Sequence, residues 1–241
     1  MNKKRKKIII NIFMIVCVIL LIYSLTNIVL WYIGVKRNQT IQEEINEIIN
    51  TNSDAKEKID FNELKKKNKE IIAYLKVNNT NIDYVVVKGN DNKFYLRHNL
   101  YKEYSHPGWI FMDYHNKLNG NDKNIVIYGH NNKDGSMFGT LKNVLEKEWY
   151  ENKSNHTIDL VLEDKTLTYQ VFSTYSIKVE DYYINTIFKN SKDFKKFIET
   201  IKGRSVYNYN VSIDENDSIL TLSTCTGNGK MRVVLHAKLQ K

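Results

Sequence analysis

The residues best suited to chemistry lie in the last two strand-like runs of this 241-residue chain. One run reads Ser218-Ile-Leu-Thr-Leu-Ser-Thr-Cys225 and the other Met231-Arg-Val-Val-Leu-His-Ala-Lys-Leu239. Between them Thr226-Gly-Asn-Gly-Lys230 is rich in residues that tolerate positive φ, so the pair predicts a hairpin. Side chains alternate faces along a strand. Leu220 and Leu222 therefore share a core face, as do Val233, Leu235, Ala237 and Leu239. Thr221, Ser223 and Cys225 point the other way, with Arg232, Val234 and His236. Cys225 and Arg232 thus fall on one polar face at one end of the hairpin. An Arg beside a thiol favours the thiolate over the thiol, whose reference pKa is about 8.5. It also offers fixed donors to an oxyanion. Each residue alone has a plainer reading, since a lone Cys is usually a small hydrophobe and a lone Arg at a hairpin mouth is usually solvated. Their shared face beside a Gly-bearing loop points instead to a nucleophile with an anion-stabilising partner.

A thiol nucleophile needs a proton partner, normally His. His130 ends the run Asn124-Ile-Val-Ile-Tyr-Gly-His, where a strand opens into a loop. His236 is the local rival because it shares the face of Arg232, but it lies roughly 13 Å further along the strand, away from the Cys end. His98, His106, His115 and His156 sit in polar, turn-like surroundings and read as surface residues. On these grounds His130 leads.

Several elements must hold these residues. From about residue 80 the pattern is that of strands: Tyr84–Val87, Trp109–Asp113, Asn124–Tyr128, Thr157–Leu162, Leu167–Ile177 and the two hairpin runs. Two helices are expected among them, Ser136 to about Tyr150 and Ser191 to about Lys202, each with its serine as N-cap. Many short strands with few helices predict a β-barrel or sandwich. Residues 38 to about 76 read as helix, with Ile41, Ile45, Ile48 and Ile49 at helical spacing. An interruption at Asn52–Asp54 separates them from Phe61, Leu64, Ile71, Ile72 and Leu75.

Ile8 to Val35 is nearly continuous apolar sequence with no charged residue, longer than the roughly 20 residues that span a hydrocarbon core. Trp31 and Tyr32 sit at its far end, where amphipathic aromatics favour the interface. The Lys3–Lys7 cluster predicts a cytoplasmic N-terminus with the rest of the chain outside. The run is too long for the apolar core of a signal peptide, and no Ala-x-Ala pattern follows it. The expected organisation is a basic tail (1–7), a single transmembrane anchor (8–35), a helical arm (36–76) and a catalytic β-domain (77–241).

The formal charge of +9 belongs mostly to this N-terminus, because residues 1–37 carry seven Lys/Arg and no acid. The other 29 basic residues nearly balance the 27 acidic ones, so no block remains to track a phosphate backbone, and nucleic acid is not an expected partner. The run Lys65–Lys67 reads as a solvated helix face. Only Cys17 and Cys225 are present, and Cys17 lies inside the apolar run, so no disulfide framework is expected.

Thr221-Leu-Ser-Thr-Cys225 followed by Arg232 resembles the Thr-Leu-x-Thr-Cys…Arg signature of the sortases. Tyr128-Gly-His130 with Asp134-Gly-Ser-Met-Phe138 resembles the class B form of their histidine motif. Asp91–Leu96 and Gly108–Tyr114 are similar to class B segments as well, as are the helical arm and the helix before the last hairpin. The resemblance implies a sortase β-barrel and a two-step transpeptidation. Cys225 would attack the carbonyl after a threonine in a C-terminal sorting signal, Arg232 would stabilise the oxyanion, and His130 would move the proton. The partners implied are surface proteins with an NPxTN-like or related signal and an amine of a peptidoglycan precursor, or a pilin lysine. No metal or organic cofactor is implied. The implied substrate groove is Asn92, Leu96, Tyr128, Tyr183, Ile184 and Ser223, with Tyr182 as an alternative register for Tyr183. Thr226 departs from the acidic residue that some class B enzymes carry after the cysteine. Outside the family, a cysteine endopeptidase would share the thiol and imidazole but need no amine. An L,D-transpeptidase would keep His and Cys in one Ser/Gly-rich motif that is absent here. An adhesin would need neither group.

Overall fold

A computed structural model of the chain describes residues 3–51, 59–226 and 230–240, apart from the side chains of Thr51, Cys225 and Thr226. The expected interruption at Asn52–Asp54 and the expected turn at 227–229 lie outside the described residues.

Eight strands close into a barrel in the order β1-β2-β3-β4-β7-β8-β6-β5. They are β1 (Ile71–Lys76), β2 (Asp83–Val87), β3 (Phe111–Met112), β4 (Asn124–Gly129), β5 (Thr157–Val161), β6 (Thr166–Lys178), β7 (Ile219–Thr226) and β8 (Met231–Leu239). The pairs β2·β3 and β4·β7 are parallel, and the others are antiparallel.

The strand β1 overturns the helix expected to run to residue 76. Ile71, Ala73 and Leu75 are buried in alternation, the period of a strand. Apolar residues at 71, 72 and 75 suit either period; pairing with β2 on one side and β5 on the other decides between them. The preceding helix α2 (Phe61–Lys67) stops at Asn68, whose side chain ties Tyr95 and the Leu100 carbonyl instead of continuing the turn.

The expected anchor and the first part of the expected arm form one helix, α1 (Lys3–Thr51). Its large apolar residues from Ile8 to Ile33 are mostly exposed, and that stretch is apolar and long enough to cross a membrane. A buried stripe starts at Gly34 and continues through Asn38, Ile41 and Ile45, at helical spacing. Ile41 and Ile45 join the main core with Phe61 and Leu64 of α2. Arg37 grips Glu103 with two hydrogen bonds of 2.9 and 3.0 Å, and Asn38 donates to the Gly108 carbonyl at 2.9 Å.

The helix expected from Ser136 to Tyr150 is not formed as such. Ser136 bonds Asp134 within a turn, Met137 has φ 53°, and Phe138 N–H returns to the His130 carbonyl at 2.9 Å. That left-handed residue and return bond bend the chain out of a helical path. A 3-10 turn at Leu141–Leu145 and the short α3 (Lys147–Glu151) follow. The later helix α4 (Ser191–Gly203) is present, but Asn190, not Ser191, caps it by accepting from Asp193 N–H at 3.0 Å.

Phe194, Phe197, Ile198 and Ile201 of α4 pack on Phe172, Tyr175, Ile219 and Val234 in a second core cluster. This layer covers the hairpin's second, polar face. Thr221, Ser223, Val234 and His236 are all buried there, because α4 and the loop before it cover that side of the barrel. His156 is likewise buried rather than superficial. Its Nε2 meets the Tyr150 carbonyl at 2.8 Å, and its ring lies among Trp149, Tyr150 and Tyr209.

Candidate functional site

Three adjacent strands end together at one mouth of the barrel. Along the parallel pair β4·β7, Tyr128 stands beside Ser223 and Gly129 beside Thr224. The next residue on each strand is His130 and Cys225. Across the antiparallel pair β7·β8, Cys225 is directly opposite Arg232. Neighbouring strands are roughly 4.8 Å apart, so the ladder alone gathers the backbones of these three residues. The side chain of Cys225 lies outside the described residues.

His130 is held from both sides. Its Nε2 lies 2.8 Å from the Leu96 carbonyl. A carbonyl only accepts, so Nε2 carries the proton and Nδ1 is the nitrogen whose protonation changes. Burial holds the imidazole pKa below its ordinary value; the Leu96 carbonyl opposes this, and the Arg97 charge reinforces it. The Leu96 carbonyl is itself placed by a tight turn. Gly108 has φ 59°, and a Cβ there would come within 2.5 Å of the Tyr95 carbonyl and 2.9 Å of that of Leu96. Only glycine fits such a position without strain. On the other side, the Phe138 ring packs so closely on Gly129 that a Cβ would approach it to 2.6 Å.

His130 and Arg232 open onto a pocket of about 270 Å³. Asn92, Leu96, Tyr128, Tyr183, Ile184 and Ser223 all line it. Tyr183 is buried, with its hydroxyl 3.0 Å from Ser223 Oγ. Tyr182 turns away, its ring 5.5 Å from that of Phe197 and beneath the Arg204 guanidinium. Of the two tyrosines, Tyr183 is therefore the one that faces the groove. Arg232 is half-buried and donates to the Met231 carbonyl at 3.0 Å. His236 is wholly buried between β6 and β7 and does not line the pocket.

Sequence reasoning missed Asp113. This buried carboxylate accepts from Asn92 at 2.7 Å, from the Tyr128 hydroxyl at 2.9 Å and from His115 Nδ1 at 2.8 Å. It locks two groove residues in place. Burial and then the Asp113 charge push the Tyr128 phenol far above its ordinary pKa, so it stays a neutral donor. An Asp at a strand end is an ordinary turn signal, and nothing local marks this one as enclosed. Val179, Glu180 and Asp181 complete the wall beside Tyr183.

The pocket is a mostly apolar groove that runs up to these strand ends. The His130 imidazole, whose Nδ1 bonds no described residue, and the Arg232 guanidinium both line it. Among the described residues no group of three or more His, Cys, Asp or Glu could hold a metal ion.

Comparison with known proteins agrees with this geometry. Residues 75–240 match the family model for the sortase domain. The chain is 35% identical to sortase B of Listeria monocytogenes over 222 residues, covering 87% of this chain and 89% of that one. It is 32% identical to sortase B of Staphylococcus aureus over 249 residues, covering 100% and 99%. The crystal structure of sortase B from Bacillus anthracis in complex with AAEK1 superposes with a TM-score of 0.78 at 31% identity, covering 87% of this chain and 99% of that one. A closed barrel whose strand ends gather Cys, His and Arg, matched over nearly its whole length by class B enzymes, leaves one assignment: the chain belongs to the sortase family as a class B, sortase-type cysteine transpeptidase.

Proposed function

We propose that the chain cleaves a C-terminal sorting signal after its threonine and transfers the new carboxyl end to an amine of the cell wall. His130 Nδ1 takes the Cys225 thiol proton as the sulfur attacks the threonine carbonyl carbon, and the oxyanion so formed takes hydrogen bonds from Arg232. The C–N bond breaks as His130 gives its Nδ1 proton to the leaving amine, leaving a thioester on Cys225. An incoming amine then loses a proton to Nδ1 and attacks the thioester, and the departing sulfur takes that proton back from Nδ1. The imidazole thus ends each cycle as it began, and the two half-reactions predict ping-pong kinetics.

The observation that carries this reading is the meeting of His130 and Arg232 at one pocket, with Cys225 opposite Arg232 in the ladder. Asn92, Leu96, Tyr128, Tyr183, Ile184 and Ser223 are the proposed peptide contacts, with an NPxTN-like signal as the substrate class. The acceptor is a peptidoglycan-precursor amine. The apolar half of α1 anchors the enzyme, with Lys3–Lys7 on the cytoplasmic side and the barrel outside, as the positive-inside rule favours.

The test uses the full-length chain in detergent with fluorescent sorting-signal peptides, with and without an added amine. Intact mass spectrometry should find an acyl adduct on Cys225 that moves to the amine and is absent from Cys225→Ala. An adduct released only to water would make the enzyme an endopeptidase. A folded chain that no peptide acylates would sink the proposal.

A further inference from the structure

Four buried polar side chains cross the barrel wall in single file, one from each of four adjacent strands: Tyr175 on β6, His236 on β8, Thr221 on β7 and Asn124 on β4. The Tyr175 hydroxyl is 2.9 Å from His236 Nε2. His236 Nδ1 is 2.8 Å from the Thr221 hydroxyl, which donates to Asn124 Oδ1 at 2.6 Å. Asn124 Nδ2 donates to the Asn185 carbonyl at 2.9 Å, with the Tyr183 carbonyl at 3.5 Å. The file therefore ends on the backbone of the loop whose Tyr183 and Ile184 wall the groove.

The direction of every bond is forced. The two carbonyls only accept, so the Asn124 amide must point its NH2 at them and its oxygen at Thr221. The single Thr221 hydrogen is then committed to Asn124. Thr221 can only accept from His236, which must carry a proton on Nδ1; in the neutral ring that burial favours, Nε2 then accepts from Tyr175. A chain with one allowed polarity holds its terminal group more firmly than isolated bonds do. A second hold starts from the same place. Arg204, beside the Tyr175 hydroxyl, pairs with Glu180 at 2.9 Å and lies over the Tyr182 ring at 5.7 Å. The loop is thus gripped at 180–182 by Arg204 and at 183–185 by Asn124. The Tyr183 hydroxyl adds a contact to Ser223 on the same β7 that bears Thr221.

We propose that Asn124, oriented by Thr221 and His236, is a positioning residue that sets the Tyr183–Ile184 wall and with it the selectivity for the sorting-signal peptide. The inference rests on the groove being the peptide site. None of the three residues faces the groove, so their effect reaches the substrate only through the loop.

The test compares Thr221→Val, which keeps the shape but removes both bonds, with Thr221→Ser, which keeps the hydroxyl. Full-length protein in detergent is assayed for amide hydrogen exchange over 182–187, for KM and kcat with a sorting-signal peptide, and for alkylation of Cys225 by iodoacetamide. The small reagent needs no groove. Thr221→Val should speed exchange of the loop and raise KM by about 10-fold each, the scale of one lost buried hydrogen bond. It should move kcat and the alkylation rate by less than about threefold. Thr221→Ser should match the parent. A folded Thr221→Val with parental loop exchange would overturn the positioning role, and faster exchange with an unchanged KM would overturn the selectivity role. Should Thr221→Val not fold, Tyr175→Phe removes only the first donor and should give the same pattern at about threefold, with parental exchange again overturning the idea. If the parent turns over no peptide, the sortase reading of the groove fails while loop exchange still decides the relay.

Discussion

Cys225 lies opposite Arg232 in the β7·β8 ladder, so the strand that carries the thiol is paired with the strand that carries the guanidinium. Its proposed work is done only in the transition state, on the oxyanion. Arg232→Ala should therefore lower kcat/KM for the sorting-signal peptide by roughly 10²–10³, the range for removing one oxyanion donor. The thermal midpoint should barely move, since the side chain is only half-buried. Arg232→Lys keeps a charge but not the planar fork and should recover only part of the loss. Steady-state kinetics within threefold of the parent for Arg232→Ala would remove this residue from the mechanism. Asp113 works at the same scale without touching the reaction, by holding Asn92 and Tyr128 from behind.

The segment from Leu96 to Gly108 joins the arm to the candidate site. Asn38 of α1 donates to the Gly108 carbonyl, Gly108 cradles the Leu96 carbonyl, and the Leu96 carbonyl orients His130. Gly108→Ala would press a methyl against the Tyr95 and Leu96 carbonyls at a φ of 59°. The expected cost is about 1–3 kcal/mol of stability, with at least a tenfold slower acylation of Cys225 as His130 loses its orienting partner. Denaturant unfolding and single-turnover mass spectrometry measure the two separately. A destabilised variant that acylates at the parental rate would show that the Leu96 carbonyl does not orient the imidazole.

Across the whole molecule, one half of α1 is long and apolar enough to cross a membrane and the other half packs in the core. A chain cut just before Gly34 should lose the exposed apolar stretch yet stay folded and soluble, whereas one starting at Ile59 should unfold more easily. Loss of buried Ile41 and Ile45 alone should cost about 3 kcal/mol or more in chemical denaturation. Equal midpoints for the two truncations would contradict the helix's part in the core. Stability should also fall in mild acid. Burial brings the pKa of His236 down to about 3, and burial lowers His156 and His130 too. A histidine protonated in the unfolded chain near its ordinary value of about 6.5 but neutral in the fold contributes fully above that pH and loses its contribution as pH drops towards the folded value. For His236 the loss between pH 6.5 and 5 is about 2 kcal/mol. Urea midpoints at pH 7.5 and 5 should separate, and His236→Gln should narrow the gap. An unchanged gap in that variant would mean that other groups carry the acid sensitivity.

What the sequence by itself determined is whatever depends on near neighbours. Alternation along two short runs separates Leu220 and Leu222 from Thr221 and Ser223, and Val233 and Leu235 from Val234 and His236, whatever the rest of the chain does. The uncharged stretch from Ile8 is long enough to cross a membrane by composition alone, and the 194, 197, 198, 201 spacing makes α4 amphipathic in isolation. The tertiary structure decided what depends on distant partners. Residues 71–76 became a strand because β2 and β5 lie on either side, although their apolar spacing suits a helix equally well. Thr221 and His236 are buried because α4 folds over their face, and His156 because Tyr150 and Tyr209 close on it. Asp113 became a groove support because Asn92 and Tyr128 converge on it from other elements. Periodicity records how a segment divides its own faces; burial and polar partnership are set by which segment covers each face, and that is a property of the closed barrel.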